Sequence, residues 1–180
     1  GNIISPVDLA EKYGTDALRY YLLREMPAYE DGDFTEEKFK VRYNGDLANG
    51  LGNFTARVLT LASRDVNLRI YANKNIDKKI KEIKKSVEQK LEEFKFHEAL
   101  AIIWELISFG DNYVNKTEPW KITNSDKKSR VLTDLIVILK NSAELLEPFL
   151  PQTSAKILKS VKISKTIIKV KKGENLFPRI

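Results

Sequence analysis

Leu47-Ala-Asn-Gly-Leu-Gly-Asn-Phe-Thr-Ala-Arg-Val-Leu-Thr-Leu61 is the stretch on which the reading of this chain turns. At 3.6 residues per turn, Leu47, Leu51, Phe54, Val58 and Leu61 share an apolar side, and Asn49, Asn53 and Arg57 form one polar stripe at i, i+4 and i+8. Gly50 and Gly52 lie inside the pattern. Each costs roughly 1 kcal/mol in a helix relative to alanine, so the pair predicts a close approach by another backbone or a flat ligand. Amides and guanidinium groups are planar and offer paired hydrogen-bonding atoms, which suits the edge of a nucleic-acid base. The plainer reading is a solvated helix face.

Working outward, the flanking segments repeat the helical period. Ser5-Pro-Val-Asp8 supplies an N-cap, a proline at the first helical position and an acid at N3, predicting a helix from Pro6 to Lys12 that Gly14 ends. A second helix, Asp16 to Glu25 behind a Thr15 cap, has Leu18, Tyr21, Leu22 and Met26 as its buried stripe, and Pro27 closes it. Turn and cap chemistry account for Glu30, Asp31 and Asp33 around Gly32, against the sharper reading of a catalytic carboxylate cluster. Thr35 caps a pattern that runs to Ser63 with a break near Asn44-Gly45. Residues 65–76 lose the period and read as a connection. Behind an Asp77 cap a helix runs to Phe94, and another runs from Phe96 to Asn115, the second with Leu100, Ile103, Trp104, Ile107 and Val114 inward and His97 as a surface or capping residue.

Pro119 then stops the helix and leaves Trp120 in a loop between Lys116 and Lys121. A large aromatic there is either tucked back over the bundle or held out as a stacking platform. Ser125 caps the most apolar helix, which carries Val131, Leu135, Ile138 and Leu146 and is apolar on more than one side, hence central. Pro151 starts a last amphipathic helix with Ala155, Ile157, Leu158 and Val161 inward. Lysines alternating with β-branched residues, then Leu176-Phe177, read as an extended tail docked on another surface, near Leu18 and Leu22.

Composition narrows the function classes. With 42% hydrophobic and 31% charged residues, 180 residues can build one large or two small folded domains. No run of 18 apolar residues exists, so no membrane partner is expected, and with no secretory pattern at the N-terminus a cytoplasmic location is. Zero cysteines exclude disulfides and thiolate metal sites, and a single histidine argues against zinc. The net charge of +6 suits a phosphate-rich partner without requiring one. There is no Walker, dinucleotide, zinc-ligand or nucleophile-elbow motif, and no catalytic residue is assigned.

Taken together, these segments resemble the methionyl-tRNA synthetases. Gly1-Asn-Ile-Ile-Ser-Pro-Val-Asp8 is similar to the sequence following that family's Lys-Met-Ser-Lys-Ser loop, a block shared with leucyl, valyl and isoleucyl relatives. Tyr13-Gly-Thr-Asp-Ala-Leu-Arg-Tyr-Tyr-Leu-Leu-Arg-Glu25 with Asp31-Gly-Asp-Phe34 resembles its stem-contact segment. Asp46 to Arg57 resembles the first anticodon-domain helix, Glu118-Pro-Trp120 its anticodon loop, and Leu176-Phe-Pro-Arg-Ile180 the end of bacterial members.

The resemblance implies a mainly α fold, an antiparallel helical bundle of the class I synthetase anticodon-binding type. Residues 1–34 would be the stem-contact segment, 35–163 the anticodon-binding domain and 164–180 a tail folding back. It also implies that Asn53, Arg57 and Trp120 recognise the CAU anticodon of methionine tRNA, the tryptophan by stacking and the other two by hydrogen bonds. Asn49, Lys116 and Lys121 are candidates for additional tRNA contacts. The catalytic domain would precede Gly1 and bring ATP with Mg2+ and a zinc knuckle, so the chain itself needs no cofactor and cannot activate methionine alone. The alternatives are the anticodon-binding domain of another class I synthetase and a non-catalytic helical scaffold.

Overall fold

The computed structural model describes residues 5–26, 34–65, 68–164 and 167–180. Helices α1 (Pro6–Tyr13) and α2 (Thr15–Glu25) precede α3 (Glu36–Arg42), a π-helical segment (Tyr43–Gly52) and α4 (Asn53–Ala62). Then come α5 (Lys74–Glu92), α6 (Phe96–Thr117), a 3-10 turn (Pro119–Lys121), α7 (Ser125–Leu146) and α8 (Pro151–Ser160). The chain closes with an antiparallel hairpin of β1 (Val161–Ser164) and β2 (Ile167–Val170), with Val161 opposite Val170. The fold is mainly α. The acidic turn at Glu30, Asp31 and Asp33 lies outside the described residues, as do Gly1–Ile4.

Local chemistry explains most of the boundaries. Ser5 Oγ accepts from Asp8 N and Thr35 Oγ1 from Lys38 N, each satisfying a donor that the first helical turn leaves open. Two expected caps belong to neighbours instead. Gly14, at φ 89°, precedes α2 with no side-chain cap from Thr15, and Asn124, not Ser125, caps α7 through Lys127 N. Asn73, not Asp77, caps α5, because its Oδ1 reaches Asn75 N and Ile76 N while its Nδ2 donates to Asp134 of α7. The helix therefore begins four residues earlier, at Lys74.

The core is built around α7, whose Leu132, Leu135, Ile136, Ile138, Leu139, Ala143 and Leu146 are fully buried. Such all-round burial follows from its apolar residues occupying more than one face. Gly110 of α6 lets two helices meet there: a Cβ at this position would sit 2.3 Å from Phe54 Cζ and 3.0 Å from Ile138 Cγ2. On α2, Asp16 Oδ2 accepts from Thr153 N in the first turn of α8, and Arg19 donates to the carbonyls of Pro148 and Phe149. Helix α2 is thereby fastened to the end of the bundle. In α8 the buried positions are Thr153, Ser154 and Ile157, and Ala155 faces solvent. Ser154 can be buried because its hydroxyl donates to Ala143 O at 2.7 Å.

The break expected near Asn44-Gly45 is a widening, not an interruption. From Tyr43 to Gly52 the backbone bonds i to i+5, so each turn holds more residues than an α-turn and the face presented by Asn49 shifts relative to α4. Gly50 faces the indole of Trp104, whose Nε1 would lie 3.4 Å from an added Cβ, and Trp104 itself stacks on Tyr20 at 4.5 Å. Asp46 anchors the segment by accepting from Tyr20 Oη and Arg42 Nη1. Burial and that carboxylate push the Tyr20 hydroxyl well above its ordinary pKa, so it stays a donor.

The C-terminal residues differ from the expectation in two ways. Val161–Ser164 pairs with Ile167–Val170 before the chain becomes extended, and Ile168 N donates to Leu68 O, which pins the segment before α5 to the hairpin edge. The final segment docks on the π-helical segment and not on Leu18 and Leu22: Phe177 meets the Tyr43 ring edge-on at 5.8 Å and is 6% exposed. Ile180 N donates to Asn44 Oδ1, and Asn44 Nδ2 donates to Ile180 O. The physical reason is access. Gly173 lets the backbone pass Leu59, where a Cβ would sit 2.8 Å from Leu59 Cδ1, which brings the segment alongside the π-helical turns.

Candidate nucleic-acid interface

Helix α4 presents the polar residues singled out above on the side opposite its buried Phe54, Val58 and Leu59. Asn53 is exposed in its first turn. One turn on, Arg57 is held by α6: Nη1 donates to Asp111 Oδ1 at 2.5 Å and Nη2 to Asn115 Oδ1 at 2.7 Å. A guanidinium has five N–H donors, so three remain after these two bonds, in a plane that the α6 pair fixes. The same carboxylate offsets much of the local positive charge.

Trp120 approaches the same helix from the α6–α7 connection. Helix α6 ends on Glu118 at φ 43°, and buried Pro119 opens the 3-10 turn, so the backbone direction of Trp120 is set by its neighbours. The indole is 52% exposed, and with Ala56, Arg57, Thr60 and Leu61 it lines an open concavity of about 310 Å³. It is neither tucked away nor free. About half of its surface is open beside α4.

A second concavity, about 730 Å³, continues along α4 from the first, sharing Ala56 and Thr60 and adding Asn49, Asn53, Lys172 and Arg179. Arg57 and Trp120 thus share one hollow and Asn53 the next. Asn49 belongs there too, but its Oδ1 is already engaged by Arg179 Nε at 3.0 Å and Nη2 at 2.6 Å. The lysines separate. Lys121 Nζ pairs with Glu118 at 2.8 Å beside the tryptophan, whereas Lys116 lines a different concavity with Phe109 and Tyr113.

Sequence reasoning missed four contributors to this surface: Asp111 and Asn115, which orient Arg57, and Lys172 and Arg179 from the C-terminal segment. The Asp111/Asn115 spacing of four was visible as one face of a helix, but nothing local indicates which helix it meets. Among the described residues no three His, Asp or Glu side chains converge on a point, so no step through ATP, Mg2+ or zinc is derived for this chain. Nor is any helix among the described residues long and apolar enough to cross a membrane.

Comparison with known proteins identifies the family to which this fold belongs. Residues 1–59 match the family described as tRNA synthetases class I (M), and residues 73–175 match the anticodon-binding domain of tRNA ligase. The chain is 36% identical over 207 residues to the methionine–tRNA ligase of Bacillus subtilis (strain 168), covering 100% of this chain and 31% of the relative. It is 37% identical over 204 residues to that of Clostridium acetobutylicum, covering 100% and 32%. The chain therefore spans about a third of the length of the curated relatives it matches. Among solved structures, the apo form of Mycobacterium tuberculosis methionyl-tRNA synthetase superposes with a TM-score of 0.87 at 26% identity, covering 100% of this chain and 42% of that one. The same enzyme in complex with methionyl-adenylate gives 0.88 at 27%, covering 99% and 40%. With family models matching both parts of the chain, relatives aligned over its whole length and a superposition on solved members, the chain belongs to the methionyl-tRNA synthetase family and carries its anticodon-binding domain.

Proposed function

We propose that this chain recognises the CAU anticodon of methionine tRNA as part of a cytoplasmic methionine–tRNA ligase. In this reading Trp120 stacks one anticodon base, and Arg57 and Asn53 hydrogen-bond to base edges. The observation that carries it is the half-exposed Trp120 standing over the same strip of α4 that holds Arg57. A stacking face and a planar donor set meet in one hollow, which is what reading an unstacked base requires. The relatives named above, each called a methionine–tRNA ligase, favour this over a leucyl, valyl or isoleucyl specificity. Lys121, and Asn49 beside Asn53, are further candidate contacts, and the division into a stem-contact segment to residue 34, a bundle to 163 and a tail is part of the same reading. The ligase reaction, with ATP and Mg2+, belongs to the whole protein. This chain alone is expected to show no methionine-dependent pyrophosphate exchange.

The test is a set of dissociation constants on tRNAs bearing CAU and its single-base variants, at one fixed salt concentration. Recognition requires the CAU tRNA to bind best. Trp120→Ala should then lose roughly 1 to 3 kcal/mol, and Trp120→Phe should keep part of it. Equal affinity for every anticodon would leave a helical scaffold as the better reading. Affinity should also fall with salt by roughly 0.7 to 0.9 log units per phosphate contact for each log unit of salt.

A further inference from the structure

We infer that the groove between α5, the second half of α6 and the start of α7 is a second nucleotide site, built for one nucleoside monophosphate unit. Its volume is about 620 Å³, within the range of small-molecule pockets. Phe109 and Tyr113, one turn apart on α6 with ring centroids 6.3 Å apart, provide its aromatic wall. The Tyr113 ring is fixed from below. Its hydroxyl donates to Asp134 Oδ2 at 2.8 Å, Asn73 Nδ2 donates to the same oxygen at 2.9 Å, and Asp134 is buried.

The rim is cationic. Lys79, Lys116 and Lys127 come from three different helices, and no Asp or Glu lines the groove. Among the described residues none of these lysines is within ion-pair distance of a carboxylate. Lys79 Nζ lies 5.4 Å from the Phe109 centroid. Three like charges converging on a rim repel one another, and a phosphate relieves that repulsion. The exposed amides of Asn75 and Asn112 add paired donors and acceptors beside the rings, which match the edge of a planar base better than an acidic peptide.

The nucleotide has two possible sources with the same chemistry, an unstacked residue of bound RNA or a free mononucleotide. The first deepens the anticodon reading and rests on it. The connection that carries Trp120 begins at this groove, since Lys116, Thr117 and Ile122 all line it. An RNA loop with one base on Trp120 can therefore place another nucleotide across the connection.

The experiment is ultraviolet cross-linking with peptide mapping, together with Kd measurements. It uses CAU tRNA and, separately, AMP, CMP, GMP and UMP, on the full chain and three variants: Phe109→Leu, the double substitution Lys79→Ala/Lys127→Ala, and Lys81→Ala/Lys85→Ala as an equal charge change elsewhere on α5. The expected result is a cross-link in the peptide holding Phe109 and Tyr113, lost in Phe109→Leu. The Lys79/Lys127 variant should bind CAU tRNA about tenfold more weakly, as loss of one stacked, phosphate-held nucleotide implies, with unchanged preference for CAU over its variants. The Lys81/Lys85 variant should stay near wild type. The lysine pair keeps the test valid if Phe109→Leu weakens folding, because Lys127 is exposed and Lys79 half-exposed.

A groove cross-link with mononucleotides but not with tRNA assigns the site to a free nucleotide. A groove cross-link with tRNA but no preference for CAU sinks the anticodon reading and leaves this site standing. Absence of the cross-link with every ligand, or equal losses in the two lysine pairs, overturns the inference.

Discussion

Asp111 of α6 holds Arg57 of α4, Oδ1 to Nη1 at 2.5 Å, so the residue assigned to base reading is positioned by a carboxylate. Two effects of removing that carboxylate have opposite signs. Loss of a negative charge raises affinity for any polyanion, whereas loss of orientation lowers affinity only where the guanidinium fits a base edge. Asp111→Ala should therefore reduce discrimination between CAU and single-base variants by roughly tenfold while mismatched tRNAs bind no worse. Arg57→Lys should not restore discrimination lost in Arg57→Ala, since an ammonium lacks the planar fork. Dissociation constants at one salt concentration decide it. Uniform weakening of all tRNAs by Arg57→Ala would assign Arg57 to phosphate attraction.

The docked C-terminal segment makes a separate prediction. Phe177 is buried against Tyr43, so Phe177→Ala should cost about 3 kcal/mol, the lower end of the range for a buried phenylalanine, and removing residues 176–180 should lower Tm at least as far. Arg179→Ala, at an exposed contact with Asn49, should leave stability within about 0.5 kcal/mol of the parent. Denaturant titrations separate the two. An unchanged midpoint for Phe177→Ala would mean that the segment does not dock in solution.

Gly110→Ala tests the closest crossing in the core. Helix propensity alone favours the substitution by about 1 kcal/mol. The added methyl, however, would lie 2.3 Å and 2.7 Å from ring atoms of Phe54, and Phe54 is fully buried and has nowhere to move. Overpacking of this kind costs typically 1–3 kcal/mol or more, so a net loss of stability is expected. A thermal midpoint equal to or above that of the parent would contradict the packing of α4 on α6.

Glu36 carries the acid sensitivity of the α1–α3 contact. Its carboxylate accepts from Tyr13 Oη at 2.7 Å and lies near Lys40 and Lys12, and these groups lower its pKa from 4.5 to about 2. The folded value is below the unfolded one. The contribution is therefore fully present above 4.5 and is lost as pH falls towards about 2. Glu36→Gln should be less stable than the parent at neutral pH, with the difference closing across that window. Equal pH dependence of the two proteins would show that the Tyr13 contact is not maintained.

Much of this architecture can be read from the chain alone because its causes are local. Caps by Ser5 and Thr35, the stop at Pro119, the start at Pro151 and the all-round apolar character of α7 involve residues within a few positions of one another. The pairing of an amide, a guanidinium and an indole as candidate base readers was also legible, through side-chain chemistry and family resemblance. Tertiary structure decided the rest. The two glycines predicted a close approach, but only the folded structure shows that Trp104 lies against Gly50 and that Gly52 lies against the Leu47 carbonyl, with the backbone widened to π-helical bonding between Tyr43 and Gly52. Arg57 and Asp111 are 54 residues apart, and Asn49 and Arg179 are 130 apart, so no periodicity pairs them. Lys116 and Lys121, flanking Trp120 in sequence, part company because Glu118 turns the backbone left-handed between them: Lys116 lines the groove beside Tyr113, and Lys121 pairs with Glu118. Local sequence encodes which hydrogen bonds a backbone makes with itself. Which surfaces those helices bring together is decided by the shape of the buried side chains, and that shape exists only once the bundle has closed.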